Sequence, residues 1–293
     1  MSVEPAEIEL GVIGGSGLYE LAELRDPRWV NVDTPYGPPS DAIVVGELAG
    51  RSVAFLARHG SGHLISPTEI PFTANIHALK SLGVRQILSI SAVGSLREEL
   101  SPGTLVVPDQ LVDLTRGARR ASFFTDGVVA HVGFADPYCG RLRSLLADVV
   151  GPATGKQAHL GGTYVCIEGP QFSTRAESEL YRSWGMDIIG MTASPEAKLA
   201  REAGICYAAL ALVTDYDCWR TGVESVTAAM VAEVMGGNVV AARSVIAAFA
   251  PLGSSGPACS CQDALSHAVL SDLAMVPART RKRLAVVAGT YLG

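Results

Sequence analysis

Two aspartates one residue apart, Asp215 and Asp217, close an apolar run that begins at Cys206, and they are the first groups in the chain that could do acid–base chemistry. Little that is polar interrupts Asp187–Met191 or Cys206–Val213, so both stretches read as buried strands. The D-x-D spacing puts both carboxyls on one face of a strand. Two carboxylates on one rim repel, and one of them holds its proton more tightly, as a general acid must. A solvated loop that carries two acids is the plain alternative. A second candidate is Arg58-His59-Gly60-Ser61-Gly62-His63, which follows an apolar strand at Ser52–Leu56. A guanidinium fork beside two imidazoles suits an oxyanion such as phosphate. His59 and His63 would suggest a metal pair on a helix, but the glycines between them make a loop, and no metal is expected. One of these histidines could equally be structural. A third candidate is Gly14-Gly15-Ser16-Gly17-Leu18, where a strand from Ile8 to Ile13 runs into a glycine turn. Backbone N–H groups there can approach an anion. The turn lacks the third glycine of a dinucleotide fingerprint and the Walker lysine, so a simple tight turn is also open.

The elements that must hold these groups alternate between strands and helices. Ala42–Val45 and Ser52–Leu56 form a hairpin across Gly46–Gly50. Pro67–Leu82 reads as a helix stopped by Gly83, and Val84–Ile90 as a strand that ends in Ser91-Ala92-Val93-Gly94-Ser95. Leu105–Val107 is a short strand, and Asp109–Asp126 reads as irregular. A helix over Arg141–Val150 precedes a strand over Gly161–Ile167, which delivers Glu168-Gly169-Pro170-Gln171-Phe172-Ser173 to another helix start. Ser194, Pro195 and Glu196 open a helix as N-cap, first position and first turn, and Gly204 closes it. Val226–Pro251 reads as one long helix, Ser254–Pro257 as a link, and Asp263–Met275 as a further helix. Open α/β sheets bind ligands at the carboxyl ends of their strands, where these polar groups collect.

The chain has 293 residues, is 48% hydrophobic and carries a formal net charge of −6. With no basic stripe, nucleic acid is not expected as a partner. The acidic N-terminus has no apolar run, and no membrane span is expected. Six cysteines in a chain this long do not look like a secreted disulfide framework, so a cytoplasmic enzyme with free thiols is expected.

In order and spacing, several motifs resemble the purine nucleoside phosphorylase superfamily, and within it the methylthioadenosine phosphorylase branch. They are Gly14-Gly15-Ser16-Gly17-Leu18, Ala57-Arg58-His59-Gly60, Ala74-Asn75, Gly94-Ser95-Leu96-Arg97-Glu98, Ile167-Glu168-Gly169-Pro170, Arg175-Ala176-Glu177, Gly190-Met191-Thr192 and Thr214-Asp215-Tyr216-Asp217-Cys218-Trp219. The likeness runs from Ile8 to about Ala250, and the C-terminal tail matches nothing closely.

The resemblance implies a single α/β domain with a central mixed β-sheet flanked by helices, the nucleoside phosphorylase/hydrolase fold. Residues 1–252 would be the phosphorylase domain and 253–293 its C-terminal helical extension. It implies phosphorolysis of 5′-methylthioadenosine to adenine and 5-methylthioribose 1-phosphate. A purine nucleoside phosphorylase acting on adenosine, inosine, guanosine or methylthioinosine is the alternative. Inorganic phosphate would be a co-substrate, with no cofactor, bound by Ser16, Arg58, His59, Ser91, the Ala92 N–H and Thr192, with His63 nearby. Met191 would floor the ribose and Phe172 would stack near the purine. Asp215 would be the general acid toward N7, keeping its proton because Asp217 is close, while Asp217 and Ser173 would meet the 6-substituent. His131 and Val226 would help wall the 5′ pocket of a homotrimer, or of a dimer of trimers. Some relatives from hot environments bridge cysteines such as Cys259 and Cys261. A nucleoside hydrolase would not need the anion site, and a non-catalytic nucleotide-binding module would not need the acid pair.

Overall fold

The computed structural model describes residues 8–220, 227–253 and 259–292. One mixed sheet of eleven strands runs through it, ordered β2-β3-β4-β1-β5-β10-β9-β7, with β11 paired to β5 and β6, and β6 to β8. Its centre is β5 (Gln86–Ser95), which pairs in parallel with β1 (Leu10–Gly14) and β11 (Cys206–Asp215), and antiparallel with β10 (Ile188–Gly190). The outer strands are β2 (Arg25–Val30), β3 (Ile43–Leu48), β4 (Arg51–Ala57), β6 (Leu105–Val107), β7 (Gln110–Leu114), β8 (His159–Leu160) and β9 (Thr163–Ile167).

All ten residues of β11 are buried, as an uninterrupted apolar run between helical layers requires. Along β1, Leu10 and Val12 face one core and Ile13 the other, which follows from the two-residue period of a strand. The first core receives α2 (Gly140–Thr154) and α5 (Ala228–Gly253) through Leu142, Leu146, Val245, Ile246 and Phe249. The second receives α1 (Phe72–Ser81), α4 (Ala193–Glu202) and α6 (Ala278–Leu292) through Ile76, Leu79, Leu199, Leu284 and Val287. Along Val234–Leu252, α5 is long and apolar enough for a membrane span by composition, yet its inner face is built into the first core against α2 and β11.

The hairpin forms as expected, and Ala49 and Gly50 turn it with φ of 52° and 79°, the left-handed pair a tight two-residue turn needs. Gly204 closes α4 at φ 63°, with its N–H on the Arg201 carbonyl.

Four expectations are corrected. The first helix begins at Phe72 rather than Pro67, because Pro71 caps it in a non-helical conformation. Within Asp109–Asp126, residues 110–114 form β7, paired in parallel with β9. Asp113 anchors that strand by accepting from the Ser194 hydroxyl at 2.6 Å and from Lys198 at 2.5 Å. That bond also takes Ser194 away from capping: Thr192 is the N-cap of α4, and Ser194 is extended (φ −112°, ψ 135°). Finally, Asp263–Met275 is not a helix but two short turns, Ser260–Asp263 and Leu273–Met275. Its backbone is used elsewhere: Leu270 donates to the Val129 carbonyl, and Ala130 pairs with Val269. The regular helix of the tail is α6, which the sequence reading missed.

Candidate functional site

The carboxyl end of β11 carries the acid pair. The strand bulges at Thr214, whose hydroxyl donates to Asp215 Oδ2 at 2.7 Å, and Asp215 comes opposite Gly94. Asp217 does not continue the strand: its φ is 50°, and its N–H donates to Asp215 Oδ1 at 2.7 Å. The pair is therefore brought together by a tight turn and not by strand alternation. Both carboxyls are 8% exposed. Burial raises the Asp215 carboxyl above the usual aspartate range, while the Thr214 hydroxyl and Asp217 N–H oppose it. Burial also raises Asp217, to about 6, opposed by the Ser178 hydroxyl and reinforced by the charge of Asp215. Proton retention thus stems mainly from desolvation, which raises both carboxyls, with the charge of Asp215 adding to it at Asp217.

Around the pair lie the other groups assigned to an organic ligand. Cys218 Sγ donates to the Ser173 carbonyl at 3.1 Å, which sets Ser173 beside the acid turn. The Ser173 hydroxyl is buried and has no partner among the described residues, a donor and acceptor open to a polar group. Phe172, next to it, is 45% exposed, so its ring is open for stacking. Met191 is half-buried, and its Sδ would clash with a Cβ at Gly169, so the two segments touch only because that residue is glycine.

The anion candidates come from four strand ends. Arg58 follows β4, and its N–H donates to the Gly14 carbonyl at 2.9 Å, joining it to the glycine turn. Its guanidinium is 2% exposed and engaged: Nε and Nη2 meet the two Glu196 oxygens at 2.8 and 2.9 Å, Nη2 also reaches Ser89 at 2.7 Å, and Nη1 donates to the Ile90 carbonyl at 2.9 Å. The fork that the sequence reading gave to an anion is thus bound to Glu196. Among the described residues the Ile90 carbonyl is the partner seen for Nη1, at the residue before Ser91-Ala92. Both of those residues are partly buried, and Thr192 is buried at the end of β10. The buried Tyr164 hydroxyl lies near the Ser91 and Thr192 side chains and makes no hydrogen bond among the described residues. Ser16 sits in a 3₁₀ turn over Ser16–Tyr19, and Arg243 of α5 grips that turn by donating from Nε to the Gly17 carbonyl at 2.9 Å.

His59 is half-buried, and its Nδ1 lies 2.8 Å from the Ile65 carbonyl, which can only accept. Nδ1 therefore carries the hydrogen and Nε2 is left toward solvent and ligand. Burial, with Arg58 and His63 adding to it, pulls the imidazole down to about 4, so the ring is neutral at physiological pH. His63 is exposed and stacks on His59 with ring centroids 4.3 Å apart. His131 stands apart from these strand ends: it is exposed, and its N–H donates to the Ala268 carbonyl at 2.8 Å. Val226 lies outside the described residues, and so does the side chain of Ser16.

Two residues that shape the site were missed. Glu196 is the counter-charge of Arg58, and it also accepts from the hydroxyls of Ser89 (2.8 Å) and Tyr207 (2.9 Å). Arg119, within the segment expected to be irregular, is 6% exposed and donates to Glu168 Oε1 (2.7 Å), to the Glu168 carbonyl (2.6 Å) and to the Met191 carbonyl (2.6 Å). It clamps the ends of β9 and β10 to one another. The aromatic neighbours Phe123 and Phe124 were the one sequence signal that this loop turns inward.

The phosphorylase superfamily model matches residues 9–251. The S-methyl-5′-thioadenosine phosphorylase of Koribacter versatilis is 50% identical over 287 residues, covering 98% of each chain. The enzyme of the same name from Geobacter sulfurreducens is 50% identical and covers 97% of this chain and 99% of its own. Among solved structures, a methylthioadenosine phosphorylase from an antarctic soil metagenomic library superposes with a TM-score of 0.91 at 49% identity, covering 97% of this chain and 99% of that one. The Schistosoma mansoni methylthioadenosine phosphorylase in complex with adenine gives a TM-score of 0.80 at 35% identity, covering 92% and 98%.

Proposed function

The chain belongs to the phosphorylase superfamily, and from that premise we propose that it cleaves 5′-methylthioadenosine with inorganic phosphate, giving adenine and 5-methylthioribose 1-phosphate. The observation that carries the reading is the buried Asp215/Asp217 pair, whose proton affinity burial raises on both carboxyls, beside a Ser173 hydroxyl with no partner among the described residues.

Adenine leaves poorly as an anion, so a proton delivered to N7 as the glycosidic bond breaks lowers the barrier. We give that proton to the acid pair as a unit, because two adjoining carboxyls titrate together. The ionised oxygens of the pair accept from the N6 amino group, and Ser173 supplies the remaining polar contact. A 6-oxopurine would turn an acceptor toward those oxygens, a mismatch worth about 1–3 kcal/mol. Phosphate is held by the Ser16 turn, Arg58, Ser91, the Ala92 N–H and Thr192. Neutral His59 meets it through Nε2, accepting a hydrogen from the protonated phosphate oxygen. The anion then faces the positive charge that develops on the ribosyl carbon only in the transition state. Met191 floors the sugar, Phe172 covers the base, and His63 borders the phosphate. No cofactor enters the reaction.

The proposal extends to assembly and place. Residues 1–252 are the catalytic unit and 253–293 its extension, and the enzyme works in the cytoplasm as a homotrimer in which His131 helps line a 5′ pocket. Rates of base release from methylthioadenosine, adenosine and inosine at matched phosphate test the substrate. Methylthioadenosine should be fastest and inosine slowest. Faster cleavage of inosine would replace this reading with that of a general purine nucleoside phosphorylase.

A further inference from the structure

Four of the six cysteines meet at the end of the sheet opposite the acid pair. Cys139 immediately precedes α2, Cys206 opens β11, and Cys259 and Cys261 belong to the first turn of the C-terminal extension. Their sulfurs all lie within 4.8 Å of one another, and Cys139 Sγ is 3.5 Å from Cys259 Sγ. Backbone contacts hold them there independently of the thiols. The Cys139 N–H donates to the Tyr207 carbonyl at 2.7 Å, and a Cβ on Gly204 would come 3.0 Å from the Gln262 carbonyl. Three of the four are buried and Cys259 is half-buried.

A tetrahedral zinc with bonds of about 2.3 Å to sulfur sets its four ligands about 3.8 Å apart. The cluster already has that scale, and each sulfur neighbours the other three and not one fixed mate. A pair of disulfides calls for two chosen partners, whereas four mutually adjacent sulfurs are the vertices of a tetrahedron. We propose that Cys139, Cys206, Cys259 and Cys261 form a structural zinc site, a departure from the sequence-based expectation of no metal. Four thiolates select a soft ion such as zinc over magnesium or calcium. With all four positions filled by protein, no place is left for water or substrate, which makes the site structural. The strand that begins at Cys206 ends at Asp215, so about 30 Å of β11 separates metal from acid pair. The ion fastens the extension to the body of the fold at two points far apart in sequence. Loading it displaces four thiol protons to solvent, so occupancy rises with pH.

The test uses the full chain without a polyhistidine tag, produced in a reducing cytoplasm and purified anaerobically. Elemental analysis should find about one zinc per chain, and denaturation with a chelator should then expose all six cysteines as free thiols. Cys259→Ser should lose the metal and lower the melting temperature. Because a serine at a packed position can itself destabilise the fold, a second measurement stays with the wild-type chain. Cobalt(II) added to protein stripped of zinc under reducing conditions should give the intense visible bands of a tetrahedral thiolate complex and restore the melting temperature. Metal-free protein whose four cysteines stay free, or are paired as disulfides, and which gives no such bands with cobalt, would overturn the proposal. Chelation that lowers the melting temperature while leaving phosphate-dependent turnover of the remaining folded enzyme unchanged separates this site from the catalytic one.

Discussion

Asp217 is held at a cost to the fold. Its carboxyl titrates at about 6 when folded and near the ordinary aspartate value when unfolded. Between those values the folded chain keeps a proton that the unfolded chain releases, so stability falls as pH rises through that window and the loss is complete above it. Replacing Asp217 with asparagine removes the penalty. D217N should therefore melt a few degrees higher than wild type at pH 8 and show no such gain at pH 4. The same change should lower methylthioadenosine turnover by about 10²–10⁴-fold, the usual share of general-acid catalysis, and shift preference toward 6-oxopurine nucleosides. Calorimetry at the two pH values and steady-state rates check both halves. A variant that is less stable at pH 8 and fully active would place the proton elsewhere.

At the scale of elements, Glu196 and Gly94 hold the site together. Glu196 ties α4 to the end of β4 through the buried Arg58 pair. Truncating it leaves a buried guanidinium unpaired, so Glu196→Ala should cost about 3–5 kcal/mol and Glu196→Gln less, by denaturant unfolding. Gly94 lets β5 pass under the acid turn: a Cβ there would sit 2.9 Å from Asp215 Oδ1 and 3.0 Å from Ile189. Gly94→Ala should keep the fold and displace the carboxyl, seen as a fall in kcat of tenfold or more with a melting temperature close to wild type. These two residues mark where sequence reading stopped. It placed β5, β10 and β11 and the polar groups at their ends, because an apolar run followed by small polar residues is a local signal. The partner of Arg58 was not legible, since Glu196 lies 138 positions away and looks like an ordinary first-turn acid. β7 was missed because its residues are only half-buried, and the tail helix was misplaced because segment 268–270 pairs with 129–131 in preference to coiling.

At the scale of the molecule, α5 carries both an exposed apolar residue and a hold on the glycine turn. Val240 on the outer side of α5 is 63% exposed, and α5 also holds the Gly17 turn through Arg243. An assembly that covered this face would stiffen the anion turn. Sedimentation at micromolar concentration should accordingly give a trimer or larger, and a fully active monomer would sink the proposed shared 5′ pocket. The central claim is narrower: the strand ends form a phosphate-dependent site and not a hydrolytic one. Release of adenine from methylthioadenosine, followed with and without phosphate in arsenate-free buffer, tests it directly. Release should saturate with phosphate and yield one 1-phosphate ester per adenine. Equal release in the absence of phosphate, with free methylthioribose as the product, would contradict it.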